Sequence, residues 1–273
     1  MLTIDGLAID GLGIDFYESG EGPPVLFVPG SFGTPAAWFG VQKYLPQRYR
    51  FVATSLCGYG ATAETRSLDD YGMEHEVRLI EAVAREIGAP VHLVGHSLGA
   101  TVALAAALGG AVDLLSIATF EANPLVLVRD GVHADLFASM QRMSGAFEAA
   151  YHAGEQDAAG RVIDFWGGAG SFAAMPQAVR EYCRATAFAN VLDWHTYYGF
   201  ESTRADYGRL AIPALVVRGA RANPVIVKIT EALESSLPNV QSAVIEDASH
   251  FLITTHARDC GALLAEFLAE VAA

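Results

Sequence analysis

The pentapeptide Gly95-His96-Ser97-Leu98-Gly99 determines the fold expected of this chain. It stands between a short apolar run at residues 91–94 and an alanine-rich run at residues 100–108. The first run is typical of a buried strand and the second of a helix, so the pentapeptide predicts a sharp strand-to-helix turn. Such a turn carries a serine hydroxyl out of the sheet and toward a base. The pattern therefore makes Ser97 a candidate nucleophile.

Two glycines fit this turn, and the flanking elements give the motif its weight. Gly95 is expected to leave room where a Cβ would meet the neighbouring strand, and Gly99 to let the helix pack closely on the sheet. A G-x-S-x-G match alone also arises by chance in a chain rich in glycine, alanine and serine. The strand before it and the helix after it are the context that the motif requires.

The composition indicates a globular chain without a nucleic-acid or membrane partner. With 273 residues, of which 52% are hydrophobic and 18% charged, the chain can bury one substantial core, with or without an insertion. The net charge of −14 argues against binding to nucleic acid or an anionic membrane, because both demand a basic face. Residues 1–16 lack the basic start and apolar stretch of a signal peptide, and no later run reaches membrane-spanning length.

The three cysteines indicate a reducing compartment. Cys57, Cys183 and Cys260 are far apart and odd in number, and they lack the spacing of metal ligands. Neither a disulfide framework nor a metal site is therefore indicated. We expect a soluble cytoplasmic protein, and a monomer and a homodimer are both compatible with the sequence.

Strands that alternate with helices predict an α/β fold with a parallel sheet covered by helices on both faces. The predicted central strands are residues 25–28, 51–54, 91–94, 115–120, 214–217 and 242–245, and the helices between or after them include 73–87, 225–236 and 260–272. Residues 2–6 and 12–18 alternate apolar and polar side chains, which predicts paired edge strands. From residue 124 to about residue 209 only helical pieces are predicted, namely 134–151, 158–165, 177–188 and 192–200. We therefore expect a core domain of residues 1–123 and 210–273 with a helical cap, residues 124–209, inserted into it.

His250 is the strongest candidate for the base that a serine nucleophile needs. It stands in Asp247-Ala-Ser-His250-Phe, just after the last predicted strand and before the last helix. The other seven histidines fall within strand or helix patterns, in the cap, or beside the candidate nucleophile, and are less suitable. They are His75, His92, His96, His133, His152, His195 and His256.

Backbone N–H groups are expected to bind the oxyanion that forms during acyl transfer. One donor should be Leu98, the residue after the nucleophile, and the other should come from the glycine-rich loop at residues 29–33. A glycine there permits the backbone to turn its N–H groups inward, so Ser31 is the first choice for the second donor and Phe32 the next.

These motifs together resemble the α/β-hydrolase superfamily, and the resemblance spans nearly the whole chain. It rests on Gly95-His-Ser-Leu-Gly99, Asp247-Ala-Ser-His250, the Pro29-Gly-Ser loop and Cys57-Gly-Tyr-Gly60. The resemblance implies an eight-stranded, mostly parallel sheet, the order nucleophile, acid, histidine, and a lid inserted after the sixth strand. It implies no metal or organic cofactor. One departure is Pro29, where a histidine often stands in the family, and this change need not remove the backbone donors.

The acid of the triad is the more serious departure from the family pattern. Relatives usually place an Asp in the loop after the seventh strand, but residues 217–224 contain no carboxylate, and Asn223 stands where the Asp is expected. The family also tolerates an acid at the end of the sixth strand, where Glu121 stands. We expect Glu121 to orient His250. Asp247 is the weaker alternative, because it is too close in sequence to His250 for an easy side-chain bridge.

The lid interval is rich in large apolar side chains, which suggests an apolar or aromatic substrate. These are Phe137, Met140, Met143, Phe147, Tyr151, Phe165, Trp166, Phe172, Met175, Tyr182, Phe188, Trp194, Tyr197, Tyr198 and Phe200. Most of them are expected to form the core of the cap. Three arginines, Arg142, Arg180 and Arg184, are candidates to meet a substrate carboxylate, although surface arginines on helical faces are commoner.

The leading hypothesis is a serine hydrolase, and specifically a carboxylesterase that acts on a small or medium apolar or aromatic ester. A close alternative is a C–C bond hydrolase of aromatic ring-cleavage products, which would favour an arginine in the cap and poor activity on simple esters. A ligand-binding protein with a degraded triad is the alternative from a different class, and the missing Asp is its support. Cofactor-independent oxygen chemistry is a further reading that no residue singles out.

Overall fold

The computed structural model describes residues 2–3, 7–9 and 12–272, with side chains from residue 13 onward. Its strands are β1 (Leu2–Thr3), β2 (Leu7–Ile9), β3 (Leu12–Ile14), β4 (Phe16–Ser19), β5 (Pro24–Val28), β6 (Arg50–Thr54), β7 (Val91–His96), β8 (Leu114–Phe120), β9 (Ala214–Gly219) and β10 (Val240–Ile245). Eight of them form one sheet in the order β1-β4-β6-β5-β7-β8-β9-β10. Strand β4 pairs antiparallel with both of its neighbours, and the other pairs are parallel. The expected eight-stranded, mostly parallel sheet is confirmed.

The apolar runs are continuous because the sheet has a hydrophobic core on each face. Along β5, Leu26 and Val28 pack with one cluster of buried residues, and Val25 and Phe27 pack with the other. Successive strand residues point to opposite faces, so a strand that is covered on both sides needs apolar residues at every position. All five residues of β5 are buried, as this arrangement requires.

Helices cover both faces of the sheet. They are α1 (Phe39–Gln42), α2 (Glu74–Ile87), α3 (Leu98–Gly109), α4 (Ala134–His152), α5 (Gly160–Gly167), α6 (Ser171–Ala174), α7 (Gln177–Ala185), α8 (Ala187–Gly199), α9 (Arg204–Tyr207), α10 (Pro224–Glu234), α11 (Leu252–Thr255) and α12 (Ala257–Val271), with short 3-10 helices at Pro35–Trp38, Leu125–Val128 and Gly131–His133. Among the described helices, none is both long enough and apolar enough to cross a membrane.

The N-terminal edge differs from the expected pair of strands. Residues 4–6 of the first predicted strand lie outside the described residues, whereas Leu2–Thr3 pairs with β4 in the large sheet. The second predicted strand, residues 12–18, is divided at Asp15, since β3 pairs with β2 in a separate two-stranded sheet. The division has a local cause, because the backbone N–H of Asp15 donates to Thr62 Oγ1 at 3.0 Å instead of joining a strand ladder.

Helices also fill the chain between β8 and β9, and no strand occurs in this fully described interval. We call residues 124–209 the helical insertion. Two of its short helices, α6 and α9, were not expected from the sequence. The predicted helix at 177–188 instead ends with α7, where the Thr186 hydroxyl donates to the Tyr182 carbonyl oxygen at 2.8 Å.

Candidate active site

Ser97 occupies a strained turn between the end of β7 and the start of α3. Its backbone φ of 54° and ψ of −123° are values that side-chain-bearing residues rarely adopt, which costs about 1–3 kcal/mol. The turn is held in place because Ser97 N–H donates to the Phe120 carbonyl oxygen at 3.0 Å. Such strain is concentrated where a side chain must be presented for chemistry. The Ser97 side chain is thereby presented at the carboxyl edge of the parallel strands.

The two glycines of the pentapeptide make room for different neighbours than the sequence suggested. A Cβ on Gly95 would lie 2.4 Å from the Gly99 carbonyl oxygen, so Gly95 faces the start of α3 and not the neighbouring strand. The expectation for Gly95 was wrong, because the helix folds back over the end of its own strand. A Cβ on Gly99 would lie 2.2 Å from the Pro29 carbonyl oxygen, which agrees with close packing of the helix on the sheet.

His250 lies within hydrogen-bonding distance of the Ser97 hydroxyl. Its Nε2 is 2.9 Å from Ser97 Oγ, although 153 positions separate the two residues in sequence. The imidazole is buried, and the Trp166 ring stacks on it with centroids 5.2 Å apart and an interplanar angle of 26°. The loop between β10 and α11 places His250, and Trp166 reaches it from the helical insertion.

Glu121 completes a chain of hydrogen bonds that starts at Ser97. Its Oε2 is 2.7 Å from His250 Nδ1, and its Oε1 accepts from Gly219 N–H at 2.8 Å. The carboxylate is fully buried at the end of β8. Because a carboxylate only accepts, the bond to Glu121 places a proton on His250 Nδ1 and leaves Nε2 free to accept from Ser97.

The residue at the family's usual acid position, Asn223, and the alternative acid, Asp247, lie elsewhere. Asn223 caps α10, since its Oδ1 accepts from Val225 N–H at 3.0 Å, and its Nδ2 donates to the Phe165 carbonyl oxygen at 2.9 Å. Asp247 is exposed and pairs with Arg221. Neither side chain has a hydrogen bond to His250 in the described part of the chain, whereas Glu121 does.

His96 packs beside His250 but is arranged to stay neutral. Burial, together with the neighbouring His250, lowers the pKa of His96 to about 3. Its Nε2 lies 2.8 Å from the His250 carbonyl oxygen, which only accepts, so Nε2 carries the proton. The two ring centroids are 5.0 Å apart. His96 therefore supports the His250 backbone through this hydrogen bond, and its neutral ring does not add a second charge to the site.

Two residues beside Ser97 were missed in the sequence. Asn123 is fully buried, and its Nδ2 donates to Ser97 Oγ at 3.4 Å. The buried Tyr197 side chain comes from α8 and lines the same cavity as Ser97, and burial, followed by the charge of Asp193, raises the pKa of its hydroxyl. Asn123 could have been predicted from its position, because it lies two residues after Glu121 at a strand end. Tyr197 could not, because a tyrosine on a helix of the insertion carries no sequence signal of its own.

The expected oxyanion donors lie on two segments near Ser97. Leu98 is the first residue of α3, where a backbone N–H has no acceptor within its own helix. Ser31 and Phe32 form the middle of a tight turn that Gly33 N–H closes by donating to the Gly30 carbonyl oxygen at 3.0 Å. Phe32 adopts a φ of 60°, the left-handed region. Ser31 and Phe32 also line a cavity that contains Ser97 and His250.

This cavity has a volume of about 630 Å³ and lies between the strand ends and the helical insertion. Of the large apolar side chains noted in the lid interval, those that line it are Trp166, Met175, Trp194 and Tyr197. Among the described residues, no Lys, Arg, Asp or Glu lines the cavity, so the three candidate arginines do not reach it. Arg184 instead pairs with Asp157 at 2.7 Å. The cavity is suited to an uncharged ligand.

Comparison with known proteins agrees with the fold. A family model described as the alpha/beta hydrolase family matches residues 25–262. The pimeloyl-[acyl-carrier protein] methyl ester esterase of Methylococcus capsulatus is 27% identical over 271 residues, which cover 94% of this chain and 99% of that protein. An alpha/beta hydrolase from Sphaerobacter thermophilus matches with a TM-score of 0.72 at 23% identity and covers 98% of this chain and 100% of its own.

An esterase from Exiguobacterium antarcticum has the same fold, with a TM-score of 0.76 at 15% identity and full coverage of both chains. Such low identities show the fold alone, whereas the family model extends over most of the sequence. The resemblance inferred from the sequence motifs is thus confirmed, and the chain belongs to the alpha/beta hydrolase family.

Proposed function

We propose that this protein is a serine carboxylesterase that hydrolyses uncharged apolar or aromatic esters through an acyl-enzyme on Ser97. The observation that carries the proposal is the hydrogen-bonded series Ser97, His250 and Glu121 at 2.9 and 2.7 Å beside a cavity of about 630 Å³. A nucleophile, a base and a group that orients the base are the parts that acyl transfer requires.

Acylation begins when Ser97 Oγ attacks the ester carbonyl carbon and His250 Nε2 accepts the hydroxyl proton. The carbonyl π electrons move to oxygen and form a tetrahedral oxyanion. Glu121 stabilises the imidazolium that forms, because its carboxylate accepts from His250 Nδ1–H. His250 then returns the proton to the alkoxy oxygen as the C–O bond breaks, and the alcohol leaves.

Deacylation repeats these steps with water as the nucleophile. His250 Nε2 accepts a proton from water as the water oxygen attacks the acyl carbon, and it then protonates Ser97 Oγ as that bond breaks. The products are the carboxylic acid and the free enzyme. In both halves, backbone N–H groups of Leu98 and of Ser31, or Phe32, stabilise the oxyanion.

The substrate class follows from the lining of the cavity. Apolar side chains from the helical insertion, among them Trp166 and Met175, provide surface for an acyl or aryl group. A C–C hydrolase acting on a ring-cleavage acid would gain from a cationic side chain in this lining, and the described residues offer none. The Methylococcus capsulatus relative is named for hydrolysis of a methyl ester, which supports an ester as the bond that is cleaved.

The helical insertion acts in this proposal as a cap over the core domain. Residues 124–209 supply the apolar wall of the cavity, whereas residues 1–123 and 210–273 supply every group that takes part in bond making. The reading as a ligand-binding protein loses its main support, because Glu121 takes the position at His250 that the missing carboxylate left open.

A fluorophosphonate probe tests the proposal directly, since it phosphonylates an activated serine. We expect rapid labelling of the wild type, no labelling of Ser97→Ala, and slow labelling of His250→Ala. Ser171→Ala is the matched control, because Ser171 also lines the cavity but is not a hydrogen-bond partner of His250 or Glu121 in the described part of the chain. Turnover of 4-nitrophenyl butyrate should follow the labelling. Absent labelling of the wild type, or equal labelling of Ser97→Ala, would refute the esterase.

A further inference from the structure

Asp193 is a fully buried carboxylate in α8 of the helical insertion, and no step of the proposed reaction uses it. It accepts four hydrogen bonds. Oδ2 accepts from Ser31 Oγ–H at 2.6 Å, Tyr59 O–H at 2.6 Å and Asn190 Nδ2–H at 3.1 Å, and Oδ1 accepts from Arg66 at 2.9 Å. Two of its partners, Ser31 and Tyr59, stand in core segments that the sequence had singled out, the loop at residues 29–33 and the Cys57-Gly-Tyr-Gly60 motif.

A buried guanidinium lies against the Asp193 carboxylate. Arg66 is also buried, and one of its terminal nitrogens lies 2.9 Å from Asp193 and 3.1 Å from Glu76. Removal of two charges from water is costly unless the pair is close and its other hydrogen-bonding positions are filled. Both conditions hold here, so Asp193 provides a fixed anion against which hydroxyl groups can be ordered.

The Ser31 hydroxyl is one of those groups. Its bond of 2.6 Å to Asp193 is a short, charge-assisted hydrogen bond, about twice as strong as one between neutral groups. Ser31 is in the turn that contains the strained Phe32, and such a turn relaxes unless surrounding contacts hold it. The bond to Asp193 therefore restrains the backbone of the turn through the side chain of its central residue.

Tyr59 extends this restraint to Phe32. The Tyr59 hydroxyl donates to the same Asp193 oxygen, and the edge of its ring packs against the Phe32 ring with centroids 6.0 Å apart. Asp193 thus contacts Ser31 directly and Phe32 through Tyr59. These are the two residues whose backbone N–H groups are the candidate second donor to the oxyanion.

We propose that Asp193 is a positioning residue that holds the Ser31–Phe32 turn so that its backbone N–H faces Ser97. The inference rests on the proposed function and gives the helical insertion a second role besides lining the cavity. Asp193 acts through the turn and never touches the substrate. A purely structural anchor would lower stability but would leave the chemistry of each folded molecule unchanged.

Two substitutions test the inference at different points. Asp193→Asn removes the charge with little change of shape, and Ser31→Ala removes the hydroxyl anchor but keeps the backbone N–H and the ion pair with Arg66. We expect kcat for 4-nitrophenyl butyrate, per fluorophosphonate-reactive site, to fall about 10- to 100-fold, less than the loss of a whole oxyanion donor. KM should change by about twofold or less, because binding of the apolar ester does not need the turn.

A trifluoromethyl ketone separates positioning from stability. Ser97 adds to its carbonyl carbon, His250 takes the proton, and the resulting oxyanion must be bound by the same N–H groups as in catalysis. We expect its inhibition constant to rise by the same factor as kcat falls in both variants, whereas inhibition by toluene, which has neither a carbonyl nor a hydroxyl group and forms no oxyanion, stays constant. Loss of thermal stability alone would not produce this difference.

The double variant Ser31→Ala/Asp193→Asn tests whether the two residues act in one chain. If Asp193 acts through Ser31, the double variant should lose no more kcat than Asp193→Asn alone. The matched control is Asp157→Asn, which breaks the exposed Asp157–Arg184 pair on the insertion and should behave as the wild type.

The outcomes separate this inference from the proposed function. If the wild type labels and turns over ester but Ser31→Ala and Asp193→Asn keep wild-type kcat per labelled site, the positioning role is wrong and the esterase stands. Fully additive losses in the double variant would also overturn it. If the wild type does not label, the proposed function itself fails.

Discussion

The strand edge and the helical insertion each bury one carboxylate behind the candidate site, and the two are held in opposite ways. Glu121, at a strand end, faces an imidazole and one backbone N–H, and no permanent cation lies against it among the described residues. Asp193, in the insertion, is paired with the guanidinium of Arg66. The first can therefore respond to a charge that appears on His250, whereas the second faces a cation that is always present and holds its neighbours in place.

The difference follows from how the strand edge and the helical insertion are built. Parallel strands end at one edge, so residues that follow β7 and β8 meet there although they are distant in sequence. Turns at that edge are tied to neighbouring strands, since Ser97 N–H donates to the Phe120 carbonyl oxygen and Glu121 N–H donates to the Val217 carbonyl oxygen. The helical insertion lacks such a ladder, and its contacts with the core include apolar packing, the buried hydrogen bonds of Asp193 and a hydrogen bond from the Thr196 hydroxyl to the Tyr71 carbonyl oxygen.

The largest expected effect comes from Glu121→Gln. Because the Gly219 N–H needs an acceptor at the Oε1 position, the glutamine oxygen should remain there and its NH₂ group should face His250 Nδ1. The imidazole then takes the tautomer with its proton on Nε2, which cannot accept from Ser97. We expect kcat for 4-nitrophenyl butyrate to fall about 10⁴-fold, as in a comparable triad.

Asn223→Ala serves as the control for that prediction. It removes the residue at the position where the family usually has its acid, but Asn223 contacts only α10 and the Phe165 carbonyl oxygen. We expect unchanged kcat and a loss of about 1 kcal/mol in stability from the lost helix cap. Near-normal turnover of Glu121→Gln together with a large loss in Asn223→Ala would show that Asn223, and not Glu121, supports His250.

A smaller loss is expected when Asn123 is changed to alanine. Asn123 N–H donates to Thr101 Oγ1 at 3.0 Å, and Thr101 in turn donates to Asn123 Oδ1 at 2.9 Å, so the amide NH₂ is left to face Ser97. At 3.4 Å its bond to Ser97 Oγ is long. We expect kcat to fall about 10-fold, less than the loss of a short oxyanion bond.

Thr101→Val gives an independent measure of the Asn123 effect. The substitution keeps the shape of the Thr101 side chain but removes its hydrogen bonds to Asn123, so it should reproduce part of the fall in kcat that Asn123→Ala causes. Pre-steady-state acylation with 4-nitrophenyl butyrate measures the step in which Ser97 attacks. Unchanged acylation rates in both variants would exclude any role of Asn123 at the nucleophile.

Sequence reasoning reached the strand edge because its signals are local. The glycine-flanked Ser97 and the short loop that holds His250 are contiguous patterns, and chain order placed Glu121 at the end of the sixth strand of the large sheet. The hydrogen bonds among these residues agree with that expectation, and their catalytic roles remain predictions for the experiments above. The partner of Gly95 was misjudged because the strand pattern does not show how far the next helix folds back.

The helical insertion was predictable only in outline. Asp193 lies 162 positions from Ser31 and 127 from Arg66, and nothing in its own segment distinguishes it from a surface residue of a helix. Its role depends on how α8 docks on the core, which is decided by tertiary packing. The same holds for Tyr197, which reads in the sequence as one more aromatic of the lid. Long-range contacts of single residues leave no periodic signal.

The apolar side chains with which the insertion lines the cavity should control substrate choice and not the rate of chemistry. Met175 lines the cavity, and its flexible side chain can be shortened without a change at the strand edge. In Met175→Ala we expect the ratio of kcat/KM for a longer acyl ester, 4-nitrophenyl octanoate, to that for the acetate to rise about 10-fold, because the enlarged cavity accepts extra methylenes. Fluorophosphonate labelling, which reports on Ser97, should change little. A fall in kcat/KM by the same factor for esters of every acyl length would contradict a role of Met175 in substrate choice.

Substitution of Glu76 should have the smallest effect on turnover. It tests whether the charge of Asp193 in the insertion acts on the core. Burial raises the pKa of Glu76 to about 7, against the lowering effect of Arg66 and with a further rise from the charge of Asp193. The folded protein thus binds a proton that the unfolded chain has released above about pH 4.5. This contribution to stability is fully present below that pH and is lost as the pH rises through about 7.

Between about pH 5 and pH 7, the free energy of unfolding should therefore fall by up to about 1.4 kcal/mol per pH unit on account of this one group. Urea unfolding across pH 5–8 measures the slope, which Glu76→Gln should flatten and which Asp157→Asn, at the ion pair with Arg184 on the insertion, should leave in place. Asp193→Asn should move the fall to lower pH, because it removes a charge that raises the pKa of Glu76. A slope that Asp193→Asn leaves unmoved would mean that the carboxylate of the insertion does not act on Glu76 of the core through its charge.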